Sequence, residues 1–174
     1  MKNIFLILCL TFFAFGFSQD QSSFPKNEIK GNALMLVTGA LEVTYERLLN
    51  EESGLGVSLF VAYDNDIETN FSLSPYYRFY FGKKPAAGFF AEGFGMIDSY
   101  TQQASDGDLF STYVGPEKDI TDFALGFGLG GKWVTKRGFV FEINSGVGRN
   151  LFNSSDTDHE FVGRGGITLG YRFN

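Results

Sequence analysis

The sequence predicts an all-β fold: a closed, antiparallel, eight-stranded up-and-down transmembrane β-barrel. Three observations predict it. Segment after segment alternates large apolar residues with small or charged ones, ending on the run FVGRGGITLGYRFN at 161–174. The interior of an eight-stranded barrel is just wide enough for side chains, so several Phe, Leu or Trp per strand would overfill it; the apolar face has to point out, which lipid allows. The long connections also fall at one end of the strands and only short turns at the other, the asymmetry of membrane barrels.

The chain opens MKNIFLILCLTFFAFGFSQD. Lys2 supplies a positive start, Ile4 to Phe17 an uncharged apolar run, and Gly16 and Ser18 small residues before a cut near Ser18/Gln19. This reads as a secretory signal over 1–18, shorter than the ~20 residues that span a bilayer as a helix. Cys9, the one cysteine, lies inside it, so the mature chain has no disulfide and no cysteine metal site. Residues 19–27 form a polar lead-in, and 28–174 form the barrel.

Eight strands follow, over 28–37, 40–49, 54–63, 68–81, 86–98, 119–135, 138–149 and 159–173. No segment carries a helical apolar period long enough to predict a helix. Strand two sets Leu41, Val43 and Tyr45 against Glu42, Thr44 and Glu46. Strand three sets Leu55, Val57, Leu59 and Val61 against Gly56, Ser58 and Phe60. In strand four, Phe71, Leu73, Tyr77, Phe79 and Phe81 oppose Ser72, Ser74, Tyr76, Arg78 and Tyr80. In strand six, Phe123, Leu125, Phe127, Leu129 and Trp133 oppose Asp122, Ala124, Gly126, Gly128, Gly130 and Lys132. In strand seven, Phe139, Phe141, Ile143 and Val147 oppose Val140, Glu142, Asn144 and Gly146. Strand five is the exception. Placing Glu92 inside also places Phe90, Phe94 and Met96 inside, with Ala87, Ala91, Gly93 and Gly95 outside. Either a bulge shifts its register or these aromatics fill part of the lumen.

With the amino terminus periplasmic, the turns after strands two, four and six are inside and short. The long connections, after strands five and seven, are outside, and the stretch from 99 to 118 is the longest loop. The outer connections are acidic (Asp64, Asp66, Asp106, Asp108, Asp156, Asp158); the turns at Lys83-Lys84 and Lys136-Arg137 are basic. The formal net charge is −6, and more negative without Lys2, which argues against nucleic acid as a partner.

The segments NALMLVTGALEVTYERLL, at 32–49, and SPYYRFYFG, at 74–82, carry a resemblance. The chain resembles the small eight-stranded bacterial outer-membrane barrels typified by OmpA and OmpX, and within them a family of small barrels described as a domain of unknown function. The resemblance implies outer-membrane lipid and the barrel-assembly machinery as partners. It also implies a terminal aromatic as the assembly signal, which Phe173 supplies although Asn174 follows it.

The inward face carries a set of charges. Lys30, Glu42, Glu46, Arg78, Glu92, Asp122, Lys132, Glu142, Arg164 and Arg172 are near balance in sign, and buried charges need partners. They read as a structural ion-pair plug, of which Glu42, Glu46, Arg78, Glu92, Lys132, Glu142, Arg164 and Arg172 form the core. Glu42 and Glu46, four apart on one strand face, would lie about 13 Å from each other, too far for an acid/base dyad. His159 reads as a surface residue. Asp64, Asn65, Asp66 and Glu68 offer oxygens to a calcium ion but lack the pattern of a calcium-binding loop. The sequence thus points to a monomer without enzyme activity, cofactor or metal, acting through its exterior loops. An extracellular ligand would meet 64–67, 99–118 and 150–158. A narrow transport or ligand-binding barrel is the alternative function, an outer-membrane enzyme a weaker one, and a soluble lipocalin-like barrel the alternative fold.

Overall fold

The computed structural model describes residues 24–64, 66–105, 114–152 and 160–174. The leader over 1–18, Asn65, Asp106, Asp108, Asp156, Asp158 and His159 lie outside them. Eight strands pair in sequence order: β1 (Asn27–Asn32), β2 (Ala40–Leu48), β3 (Ser53–Ala62), β4 (Thr69–Tyr80), β5 (Gly88–Ser105), β6 (Val114–Val134), β7 (Phe139–Asn150) and β8 (Phe161–Phe173). The barrel closes where β1 pairs antiparallel with β8, from Asn27 opposite Phe173 to Asn32 opposite Thr168. Closure leaves no open sheet edge over the part of the barrel where all eight strands pair.

Three short turns, 49–52, 81–87 and 135–138, share one end of the barrel with Asn27 and Phe173; this is the turn end. The other connections form the loop end. Here the first strand departs from expectation. β1 stops at Asn32, and the chain forms a one-turn helix, α1 (Ala33–Thr38), where the sequence suggested strand to 37 and no helix. The Asn32 side chain caps it, accepting from the backbone N–H of Leu34 at 3.2 Å and of Met35 at 3.4 Å. Gly39 ends it at φ 108°, a left-handed conformation that glycine adopts without a Cβ penalty.

A second departure concerns the longest connection. β5 and β6 pair well beyond the expected ends, with Ser99 opposite Thr121 and Gln103 opposite Glu117. Much of 99–118 is therefore a protruding hairpin rather than a loop. Its sequence is polar on both faces, so no apolar alternation marked it as strand. At the other end β5 begins at Gly88, not 86, so Ala87 lies in the turn and is buried instead of facing out.

Strand five is settled in favour of a filled lumen. The ladder with β6 runs unshifted from Gly88 to Gln103, with Phe90, Phe94 and Met96 buried inside. Phe94 stands opposite Gly126 and Phe90 opposite Gly130. A Cβ on either glycine would come within 2.4 Å of the facing ring. The glycines of β6 are the sockets for the aromatics of β5.

The two faces separate as the patterns predicted. Ile29, Tyr45, Leu55, Phe79, Phe127, Leu129, Trp133, Phe141 and Leu169 are exposed around the outside. Arg78, Lys132, Glu46 and Glu142 are at most 1% exposed inside. Near the turn end the outer rings pack on one another: Trp133 on Phe141 at 5.6 Å, Phe139 on Tyr171 at 5.7 Å, and Tyr77 on Phe79 at 4.9 Å between centroids.

Candidate functional site

The central charge network of the lumen brings together side chains from every strand except β3. They reach one another because period-two geometry aims each at the axis and the interior has no room to keep them apart. Glu46 of β2 lies at the centre. It accepts from Lys30 Nζ at 2.6 Å, from Tyr76 Oη at 2.8 Å, from Lys132 Nζ at 3.2 Å and from Arg78 Nη1 at 3.3 Å. Tyr80 Oη also donates to it, and Lys132 Nζ donates to Tyr80 Oη.

Arg78 of β4 reaches across. Its Nε and Nη2 both donate to Glu92 Oε2, and Nη1 donates to Glu142 Oε2 at 2.8 Å. Its guanidinium lies 3.8 Å from the centroid of the Phe90 ring and 4.6 Å from that of Tyr76. Lys30 bridges Glu46 and Glu142, the latter at 3.0 Å. Lys132 donates to Glu28 Oε2 at 2.7 Å. Arg172 donates through Nε to Glu28 Oε1 at 2.7 Å and through its other nitrogens to the carbonyls of Pro85 and Ala86. Below this layer Leu48, Tyr80, Ala86 and Phe90 form an apolar floor at the turn end, with Phe24 of the lead-in packed against it.

Burying a charge costs several kcal/mol, recovered only where geometry is good and the remaining lone pairs are used. Here the contacts satisfy that condition by sharing. Each central base touches two or more carboxylates, and Glu46 serves three bases and two phenols.

Of the eight residues expected to form the plug, Glu46, Arg78, Glu92, Lys132, Glu142 and Arg172 join this network with Lys30. Arg164 sits at its loop-end margin, its Nη1 3.6 Å from Glu92 Oε1. Glu42 stands apart, accepting from Asn32 Nδ2 at 2.7 Å and Ser58 Oγ at 2.6 Å. Asp122 caps a backbone corner, its Oδ1 accepting from the N–H of Phe123 at 2.7 Å and of Phe152 at 3.2 Å. Glu28 is a full member that the sequence reading missed. It shares a face with Lys30, two residues on, and that parity was the available signal. Phe173 ends β8 opposite Asn27, whose Nδ2 reaches its carbonyl.

Glu42 and Glu46 face different partners, and each carboxylate of the central network is tied to fixed cations. At the loop end, Asp64 Oδ1 accepts from the N–H of Asp66 at 3.1 Å, closing a local turn. Among the described residues no group of three or more His, Cys, Asp or Glu could hold a metal ion.

No family model matches the chain, and no curated protein does. Among solved structures, the barrel is similar to the N-terminal β-barrel domain of Pseudomonas aeruginosa OprF, with a TM-score of 0.61 and 15% sequence identity. The match covers 86% of this chain and 98% of that one. At that identity the likeness is one of fold, and it agrees with the eight-stranded barrel architecture that the sequence resemblance implied.

Proposed function

We propose that this chain is a monomeric outer-membrane β-barrel with a closed lumen, exported by a cleaved signal peptide and without enzyme activity. Its role is structural or one of surface interaction through the loop end. One observation carries the reading: the outside is a continuous apolar surface while the inside is a dense salt-bridge network at most 2% exposed at Lys30, Arg78, Lys132, Glu46 and Glu142. Water would penalise that outer surface, and only lipid makes both faces favourable at once. The aromatic rings gathered near the turn end suit a membrane interface. The likeness of fold to the OprF domain supports the same reading.

In this orientation the turn end is periplasmic, and α1, the β5–β6 hairpin and the β7–β8 connection face outward. A surface partner would meet 64–67, 99–118 or 150–158. Outer-membrane lipid is the solvent, and the assembly machinery would engage β8 with Phe173. Two measurements test the proposal together. Fractionation of cells should put the folded chain in the outer membrane. The purified protein in a planar bilayer should pass no sustained current, whereas reproducible, selective single-channel currents would replace the closed lumen with a transport role. A cavity at the loop end favours ligand binding as a second activity.

A further inference from the structure

Arg164 is a charged residue of the lumen that its neighbours leave incompletely used. Its side chain is only 8% exposed, yet Nη1 has no hydrogen-bond partner; the nearest carboxylate oxygen, Glu92 Oε1, is 3.6 Å away and lies beyond hydrogen-bond reach. The guanidinium is held in place by the rings of Tyr76 and Phe94, at 5.1 and 5.2 Å from their centroids. A buried donor without an acceptor is costly, and a bound acceptor relieves that cost.

This arginine lines a cavity of about 240 Å³ at the loop end of the lumen. That volume lies below the range of drug-sized sites and suits a ligand of a few heavy atoms. Two carboxyl groups, Glu42 and Asp98, line the same cavity. Glu42 is fixed as an acceptor on both oxygens, by Ser58 Oγ and Asn32 Nδ2, with lone pairs remaining. Met35, Phe60 and Met96 supply an apolar wall. A simple anion attracted by Arg164 would meet two carboxyl groups, and a simple cation would meet the arginine. A ligand carrying both charges satisfies the whole lining.

We propose that this cavity binds a small zwitterion with an apolar side chain, of the size of one α-amino acid. Its carboxylate accepts from Arg164 Nη1, its ammonium donates to Glu42, and its side chain lies on Met35 and Met96. The site is distinct from the central plug, and it holds whether or not the chain also meets a partner through its loops.

The sequence supplies the reporter. It contains three methionines, and two of them, Met35 and Met96, line the cavity. The purified protein, carbon-13 labelled at the methionine methyls and folded in micelles, is titrated with L-leucine, with isocaproate, which lacks the ammonium, and with isoamylamine, which lacks the carboxylate. Leucine should shift both cavity methyls saturably, and the other two should bind at least about tenfold more weakly, the loss of one charged hydrogen bond. Arg164→Gln and Glu42→Gln should each weaken leucine by a similar factor. Should Arg164→Gln fail to fold, Glu42→Gln and the three ligands still decide. No saturable shift with leucine, or equal binding of isocaproate, or leucine binding untouched in Glu42→Gln and in a folded Arg164→Gln, would overturn the proposal.

Discussion

Arg78 grips Glu92 through two nitrogens, Nε at 2.9 Å and Nη2 at 2.6 Å, both on the same carboxylate oxygen. The two residues are register partners on β4 and β5, so the grip ties adjacent strands while Nη1 crosses the lumen to Glu142 on β7. Nη1 also reaches Glu46 on β2 at 3.3 Å, so a single guanidinium braces four strands from inside.

Arg78→Ala should therefore destabilise the barrel by about 3–5 kcal/mol, because it takes from Glu92 its hydrogen-bonded cation and leaves Glu142 with Lys30 at 3.0 Å, both in a dry interior. Urea unfolding in lipid vesicles measures this. Arg78→Lys should recover only part of the loss, since an ammonium cannot make the forked contact. A loss below about 1 kcal/mol for alanine would mean that the lumen is wet and the plug loose.

The outer face makes the opposite demand. Leu129 is 49% exposed in the apolar belt of β6. Leu129→Arg should weaken folding into bilayers by about 2–4 kcal/mol, the cost of an arginine near the bilayer midplane. Equal stability of variant and parent in vesicles would place that face in water.

Sockets and rings give a paired test. Gly126→Val should cost about 1–3 kcal/mol, because its side chain would enter the space of the Phe94 ring and the Val147 carbonyl, at 2.4 and 2.6 Å from a Cβ. Gly93→Ala, on the outer face with nothing within 4 Å, should be neutral or slightly stabilising. The same unfolding assay compares them, and equal costs at the two glycines would contradict the inward packing of Phe94.

Orientation is tested on intact cells. Protease added outside should cut between Ser105 and Val114 and leave the paired residues on either side intact, since exposed connections are cut before paired strands. Cleavage only after permeabilisation would invert the topology.

What the sequence made legible was the part governed by a period of two. β4, β6, β7 and β8 set bulky apolar against small or charged residues so consistently that their faces could be read residue by residue. α1 was not legible in that way: ALMLVT is too short to show a helical period, and its apolar residues suit a strand equally well. The signals were at its ends, in Asn32 as cap and Gly39 as terminator. The extended hairpin was hidden because Thr101 to Ser105 carries no apolar alternation; its pairing is dictated by the register established deeper in the barrel. Strand five needed the same register, since only the alignment of Phe90 with Gly130 and of Phe94 with Gly126 shows that the aromatics fit inside. Among the lumen charges, strand parity identified most members, but which acid meets which base depends on the shear between strands. That is why Glu42 separates from Glu46, and why Arg164 ends at the margin beside a cavity.

In the proposed function the apolar outer face lies in lipid, and the chain carries its own probe for it. Trp133 is the one tryptophan and is 57% exposed on the outside, near the turn end. Its fluorescence should be measured with the protein folded in vesicles containing lipids brominated at different depths, and with acrylamide in the water. A lipid-facing Trp133 near the turn end is strongly quenched by bromines close to the headgroups, less by deep bromines, and little by acrylamide. Quenching by acrylamide with none by any brominated lipid would put the apolar face in water and contradict the membrane barrel.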